Sequence, residues 1–150
     1  MAKLHFEITT PERNVLREEI DGVTIPTREG EITVLPGHIA LVAILKPGEL
    51  IVKKDGKESY LAVSGGFIEV QALPKSTRVI ILADTAERAE ELSLKAIEAA
   101  KERAQKELEE KRDVDEVAAA SAAASLEREL ARLKVARRRG RGKSSLEISE

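Results

Sequence analysis

The 150-residue chain contains no cysteine, which excludes disulfides, thiolate nucleophiles and cysteine-based zinc sites. Imidazole is nearly as scarce, because His5 and His38 are its two histidines. Aromatic residues make up 2% of the chain, and tryptophan is absent. The side chains on which many catalytic and metal sites depend are therefore in short supply.

Long apolar runs are also missing. The longest uncharged run of buried character, residues 34–45, is short and is broken by Pro36 and Gly37. A membrane-spanning helix needs about 20 apolar residues, so no span is predicted. The first ten residues, MAKLHFEITT, contain neither an apolar secretory region nor an arginine- and serine-rich leader. We therefore expect an intracellular protein.

Glycine and proline are absent from one long stretch of the chain. All five prolines and seven of the nine glycines precede residue 75, whereas residues 75–139 contain neither. Both residues punctuate short strands and interrupt helices. The distribution therefore predicts an α+β protein, with a turn-rich sheet region followed by long helices.

Alternating apolar and polar residues predict nine short strands in the first half. Leu4, Phe6 and Ile8, for example, alternate with polar neighbours. Asp55-Gly56 predicts a hairpin, because a type I′ turn needs positive φ at both central residues. This spacing indicates a β-sandwich or flattened barrel over residues 1–83. The other eight predicted strands are 15–20, 22–26, 31–34, 40–45, 49–54, 57–63, 67–71 and 77–83.

A two-helix antiparallel hairpin is predicted for residues 84–139, with helices at about 85–111 and 115–138. Asp84 with Glu87 forms a capping-box pattern, and Asp113 or Asp115 can cap the second helix. Residues 140–150 lack periodicity and are expected to be a disordered tail. The predicted apolar stripes are Ala89, Leu92, Ala96, Ala99 or Ala100, Ala104 and Leu108, then Ala119, Ala122 or Ala123, Leu126, Leu130 and Leu133.

Alanine dominates the middle of this predicted seam, especially over residues 118–124. Small side chains bury little area, at roughly 25 cal/mol per Å² of apolar surface. Alanine nevertheless has the best intrinsic helix propensity. We expect stable helices that are held together weakly.

Formal charge is distributed unevenly, with −1 over residues 1–83, −5 over 84–133 and +4 over 134–150. The cationic end predicts an acidic partner. Arginines 137–139 could bind nucleic-acid phosphates, but no aromatic residue interleaves with them to stack a base. Contact with a protein partner is favoured over a solvated tail and over nucleic acid.

Other candidate sites lack the surroundings that their chemistry requires. His38 has no nucleophile or metal cluster beside it, so a structural role is favoured over general-base catalysis. Gly65-Gly66 matches no phosphate-binding pattern and favours a tight turn or bulge. The acidic groups do not resemble a calcium loop and favour solvated loops; they are Glu18, Glu19 and Asp21, and Glu29 with Glu31. No catalytic residue, metal site or cofactor is predicted.

Four motifs occur in a distinctive order: GEITVLPGH at 30–38, LKPGEL at 45–50, SGGFIEV at 64–70 and LADTA at 82–86, followed by Asp113-Val114-Asp115. Together they resemble the epsilon subunit of bacterial and chloroplast ATP synthase, the counterpart of the mitochondrial delta subunit. The resemblance covers about residues 4–138.

This resemblance implies a β-sandwich with a helical hairpin, acting as a non-catalytic rotor subunit of the proton-translocating ATP synthase. The sandwich would bind the gamma subunit and the c-subunit ring, at the cytoplasmic face of the cell membrane. Residues at the family's gamma-facing positions are Thr10, His38 and Ala43. Residues at its c-ring-facing loop are Thr27, Arg28, Glu29, Gly30 and Glu31.

The resemblance also implies that the helical hairpin regulates ATP hydrolysis, permitting rotation when folded and blocking hydrolysis when extended. Such a switch needs two states within a few kcal/mol, which a weak alanine seam can provide. A chain ending at Ala83 is expected to fold and assemble. The basic residues expected to approach an acidic loop of the catalytic beta subunit are Arg128, Arg132, Lys134, Arg137, Arg138 and Arg139.

One stretch departs from a family pattern. Some bacterial relatives hold ATP through Ile or Leu, Asp, two residues, Arg and Ala, where this chain has Leu92-Ser-Leu-Lys-Ala-Ile97. Without the Asp and Arg, weak or absent ATP binding is predicted. Two alternatives from other classes are a free-standing partner- or nucleic-acid-binding module that uses the basic end, and a small-molecule sensor in the hairpin.

Overall fold

The computed structural model describes residues 2–147, with side chains described as far as Arg138. Ten strands, one 3₁₀ turn and two helices make up this part of the chain, which confirms the α+β class. The strands are β1 (Leu4–Thr9), β2 (Asn14–Ile20), β3 (Gly22–Thr27), β4 (Gly30–Val34), β5 (Leu41–Ile44), β6 (Gly48–Lys54), β7 (Lys57–Ser64), β8 (Phe67–Ala72), β9 (Thr77–Leu82) and β10 (Thr85–Arg88). The 3₁₀ turn is Ala89–Glu91, and the helices are α1 (Leu94–Lys111) and α2 (Glu116–Glu147).

The strands form two five-stranded sheets that pack as a sandwich. Sheet I has the order β2-β1-β9-β8-β5, and sheet II has the order β10-β7-β6-β3-β4. Strands β1 and β9 run parallel, and the other pairs within the sheets are antiparallel. Inward-facing side chains of both sheets form one apolar core, which includes Leu4, Phe6, Ile8, Ile25, Leu50, Leu61, Ile68 and Ile81.

Glycine is required at two turns of the sandwich. Asp55 and Gly56 have φ values of 51° and 77°, which confirms the predicted turn between β6 and β7. Gly65 and Gly66, with φ of 65° and 92°, carry the chain from sheet II to sheet I. A Cβ on Gly66 would lie 1.8 Å from the carbonyl oxygen of Leu82, so only glycine fits there.

The nine predicted strands are confirmed, each within one residue at either end. The sandwich, however, does not end at Ala83 as predicted. Residues 85–88 form β10, which pairs antiparallel with β7 at the edge of sheet II. The helix expected from about residue 85 begins instead at Leu94, capped by Ser93, whose Oγ accepts the Ala96 N–H at 3.4 Å. Pairing with β7 provides the backbone hydrogen bonds of residues 85–88 that a helix would otherwise have provided.

Helices α1 and α2 form the predicted hairpin, and α2 also packs on β6 and β7 of sheet II. Asp115 is the cap at the turn, since its Oδ1 accepts the N–H groups of Val117 and Ala118 at 3.1 Å each. Because α2 faces both α1 and the sandwich, its buried side differs from the predicted stripe, and Leu130 is 45% exposed. The buried residues of the two helices are Ile97, Ala104, Ala122, Glu129, Ala131, Leu133, Val135 and Ala136.

The second helix continues past Gly140 to Glu147, so the first residues of the expected disordered tail are helical. Arginine and lysine favour helix, and no proline is present to end it. Residues 148–150 of that expected tail lie outside the described residues. Within the described chain, neither helix is long and apolar enough to cross a membrane.

Candidate interaction surfaces

A row of exposed apolar side chains lies on the outer surface of sheet I. Ile44, Phe67 and Leu82 are direct neighbours across β5, β8 and β9, and they are 50%, 54% and 48% exposed. Val42 and Ile39, on β5 and just before it, are more exposed still. We call these five residues the apolar face. A contiguous exposed apolar surface on a soluble domain marks an interaction site.

The strand pattern explains why these side chains point outward. On β8, Ile68 and Val70 are buried in the core, so their neighbour Phe67 faces the opposite side of the sheet. Leu82 likewise lies between the buried residues Ile81 and Ala83. The apolar face was missed from the sequence. The sequence contained one local indication of it. Phe67 is a large aromatic residue at a position of β8 that alternates with the inward-facing residues.

The three residues predicted to face gamma lie around this surface. Ala43 sits on β5 between Val42 and Ile44, half-buried against the core. Thr10 follows the end of β1, where its hydroxyl accepts the Arg13 N–H at 3.3 Å. His38 is half-buried before β5, and its Nδ1 lies 2.7 Å from the Ile39 carbonyl oxygen.

The predicted c-ring-facing loop, Thr27–Glu31, is the turn between β3 and β4. Thr27 is buried, and its hydroxyl donates to the Gly30 carbonyl at 2.5 Å. Arg28, Glu29, Gly30 and Glu31 are exposed. The Arg28 N–H donates to the Ile44 carbonyl at 3.0 Å, so the loop is joined to the strand that carries the apolar face.

Two arginines of α2 form ion pairs with the sandwich. Arg132 donates to both carboxylate oxygens of Glu87 on β10, at 2.8 and 2.5 Å, and to Glu129 on its own helix at 2.5 Å. Arg138 donates to both oxygens of Glu49 on β6, at 3.1 Å each. Its guanidinium also lies 4.9 Å from the ring centre of Tyr60, a cation–π contact.

The other predicted basic residues have different surroundings. Lys134 and Arg137 are exposed on α2. Arg128 is half-buried, and its Nε is buried with no hydrogen-bond partner among the described residues. Arg139 lies beyond the described side chains. The predicted basic set is therefore divided between residues bound to the sandwich and residues that face solvent.

A third ion pair holds the segment that connects the sandwich to α1. Arg13, in the β1–β2 turn, donates to both carboxylate oxygens of Glu91 at 2.7 and 2.8 Å. Glu91 also accepts the Arg88 backbone N–H at 2.9 Å. Hydrogen bonding to Arg13 lowers the pKa of Glu91 to about 2. Leu92 and Ser93 that follow are extended and connect this anchor to α1.

Two of the acidic residues considered as cation ligands, Glu18 and Asp21, are paired with lysines instead. Glu18 accepts from Lys54 at 3.1 Å, and Asp21 forms an ion pair with Lys3 at 2.5 Å. Among the described side chains, no group of three or more histidines or carboxylates could hold a metal ion. In the stretch that departs from the ATP pattern, Ser93 caps α1 and Ile97 is buried. The predicted weakness of ATP binding stays a prediction.

Comparison with known proteins finds relatives of the chain in sequence and in structure. Residues 3–89 match the family described as "ATP synthase, Delta/Epsilon chain, beta-sandwich domain". The chain is 46% identical to an ATP synthase epsilon chain of Dehalococcoides mccartyi over 139 residues, covering 93% of this chain and 96% of that one. An epsilon chain of Chloroflexus aggregans is 42% identical, with coverage of 89% and 91%.

A solved structure is similar in fold as well as in sequence. A chain in the cryo-EM structure of the Euglena gracilis mitochondrial ATP synthase, described as OSCP/F1/c-ring, superposes with a TM-score of 0.72 at 30% identity. The match covers 85% of this chain and 77% of that chain. It includes more residues than the sandwich alone contains.

Proposed function

The chain belongs to the family of ATP synthase delta/epsilon chains, and we propose that it is a non-catalytic subunit of the central stalk, which turns with the rotor of the proton-translocating enzyme. The observation that carries this proposal is the apolar face of sheet I, on the side of the sandwich away from α2. A rigid two-sheet body with one exposed apolar face suits a subunit that transmits torque. The complex would hold it at the cytoplasmic face of the membrane.

The gamma subunit is the proposed partner of the apolar face. Phe67 lies at the centre of the row, between Ile44 and Leu82. Large apolar side chains at the centre of an interface contribute most of its binding energy, and polar residues at the rim contribute less. His38 would lie at this rim, with Thr10 and Ala43 beneath it.

The c ring is the proposed partner of the Thr27–Glu31 loop. Its exposed charges, Arg28, Glu29 and Glu31, are suited to the polar loops of another protein. The hydrogen bond from the Arg28 N–H to Ile44 makes the two proposed contacts mechanically continuous. Force applied at one contact is therefore carried to the other through backbone of sheets I and II.

The helical hairpin is the proposed regulator of ATP hydrolysis. It is docked on sheet II here, the compact arrangement that would permit rotation. The extended arrangement would bring the basic residues of α2 to an acidic loop of the catalytic beta subunit. Binding of nucleic acid by the basic end is a weaker alternative, since Arg132 and Arg138 are already paired with carboxylates.

Substitution of Phe67 by serine tests the proposed gamma contact. We expect binding of the purified chain to purified gamma subunit to weaken by about 30-fold or more, the cost of losing an interface hot spot. Phe67 points out of the core, so circular dichroism and thermal unfolding should hardly change. Isothermal titration calorimetry measures the affinity.

The matched control is Val117→Ser, which removes another exposed apolar side chain, at the turn of the helical hairpin. This variant should bind gamma as the wild type does. Unchanged gamma binding by a folded Phe67→Ser protein would contradict the proposed interface. Failure of the wild-type chain to bind gamma at all would contradict the proposed function.

A further inference from the structure

The compact arrangement of the hairpin depends on two carboxylates of the sandwich. Arg132 and Arg138 of α2 each make a two-oxygen contact with a carboxylate of sheet II. Glu87 lies on the edge strand β10, and Glu49 lies on β6, two strands away. Contacts with two different strands define where α2 rests on the sheet.

The contact at Glu49 places a charge in a protected position. The Glu49 side chain is 4% exposed, whereas its partner Arg138 is 38% exposed. The carboxylate is therefore covered in the docked state and depends on Arg138 for its ion pair. Because Arg138 reaches Glu49 only from the docked helix, this ion pair stabilises the docked position of α2.

Arg132 binds two carboxylates, one on the sandwich and one on its own helix, so their effects on docking can be compared. Its guanidinium binds Glu87, which belongs to the sandwich, and Glu129, which belongs to α2. Glu129 moves with the helix, and its bond to Arg132 spans one helical turn. Only the Glu87 bond must break when α2 leaves the sheet.

We propose that Glu49 and Glu87 compete with the acidic surface of the partner protein for the same two guanidinium groups. The N–H groups that bind Glu87 and Glu49 cannot bind a second carboxylate at the same time, and the remaining terminal nitrogen of Arg132 is already bound to Glu129. Release from the sandwich is therefore the condition for binding the partner. This inference rests on the proposed regulatory role of the hairpin, and it identifies the residues that set the balance between its two positions.

Pulsed electron paramagnetic resonance on the purified full chain tests whether Glu49 and Glu87 hold α2 on the sandwich. The chain has no cysteine, so spin labels can be attached selectively to Ser121→Cys and Lys57→Cys, both of which are exposed positions. We expect Glu49→Gln with Glu87→Gln to raise the population at longer label distances about tenfold, because charge-assisted bonds are replaced by weaker neutral ones.

The matched control is Glu129→Gln, which removes a carboxylate bound to the same Arg132 without removing a contact to the sandwich. Its distance distribution should equal that of the wild type. Arg132→Gln with Arg138→Gln opens the same contacts from the other side, and should show the long distances even if the glutamate variant fails to fold. Unchanged distributions in both double variants would overturn the inference.

ATP hydrolysis by the reconstituted complex tests whether the released arginines bind the acidic partner. With Glu49→Gln and Glu87→Gln the freed arginines should inhibit hydrolysis several-fold more strongly than in wild type, whereas the double arginine variant should inhibit less than wild type. Opening without stronger inhibition would overturn the competition. If the ATP synthase assembled without this chain bound to gamma, the proposed function itself would be overturned. That result is different from opening without stronger inhibition, which would overturn the competition alone.

Discussion

Individual glycines show how much of this fold depends on single backbone positions. Gly66 has positive φ and no room for a Cβ against Leu82, whereas Gly56 has positive φ with nothing within 4 Å of an added Cβ. A side chain at Gly56 would therefore cause backbone strain alone, whereas a side chain at Gly66 would cause both backbone strain and a steric clash. The sequence predicts a hairpin turn at Gly56 and a tight turn or bulge at Gly66, but it does not reveal which glycine is crowded.

Gly66→Ala is expected to lower the free energy of unfolding by about 3 kcal/mol, since left-handed strain adds to displacement of the neighbouring strand. Gly56→Ala should cost about 1 kcal/mol, from strain alone. Urea unfolding of the two variants measures both values. Equal losses would show that the contact with Leu82 relaxes at no cost.

The pKa of Glu91 predicts a pH dependence. This pKa is lowered from 4.5 to about 2, so the Arg13–Glu91 pair stabilises the folded chain fully above about pH 4.5 and is lost as the pH falls toward 2. The pair is partly exposed, so the contribution should be no more than about 1 kcal/mol.

Comparison of the wild type with Glu91→Gln at pH 6 and pH 2.5 measures this contribution. The wild type should be the more stable protein at pH 6, and the difference should shrink at pH 2.5. A stability difference that does not change between these values would contradict the assignment of the lowered pKa to this pair.

Among the secondary-structure elements, β10 changes where the sandwich ends. The apolar alternation of Thr85–Arg88 is too short to distinguish a strand from the start of a helix, and the Asp84 and Glu87 pattern favoured the helix. The edge of β7 decided the outcome, because it offered backbone partners that the local sequence does not encode. A chain ending at Ala83 would therefore lack one edge strand of sheet II.

Two truncated chains test this boundary. A chain ending at Leu92 retains β10 and should unfold cooperatively as a monomer. A chain ending at Ala83 lacks β10 and leaves the edge of β7 open, so it should be about 2–4 kcal/mol less stable and prone to associate. Thermal unfolding with analytical ultracentrifugation measures both properties, and equal behaviour would make β10 dispensable.

At the scale of the whole molecule, the sandwich and the hairpin differ in how they are held. The sandwich has one continuous apolar core, whereas α2 rests on it through small apolar residues and partly buried ion pairs. Elements held by few apolar contacts open locally, below the free energy of global unfolding. The hairpin should therefore open while the sandwich remains folded.

Hydrogen exchange can resolve this opening. Raising NaCl from about 0.05 M to about 1 M screens the interfacial ion pairs, so exchange of the α2 amides at 133–136 should accelerate about threefold. The amides of Ile68 and Ile81 in the sandwich core provide the internal reference and should not change. Parallel acceleration in both regions would indicate a single cooperative unit.

The sequence by itself determined nine of the ten strands, the helical hairpin, the family and the turn at Asp55-Gly56, because periodicity, glycine placement and ordered motifs are local properties of the chain. Only the tertiary structure decided that residues 85–88 join sheet II, that Ile44, Phe67 and Leu82 form one row, and that Glu49 and Glu87 hold two arginines of α2. Each of these depends on strand register or on contacts between residues far apart in the chain, and local residue preferences do not encode such pairings.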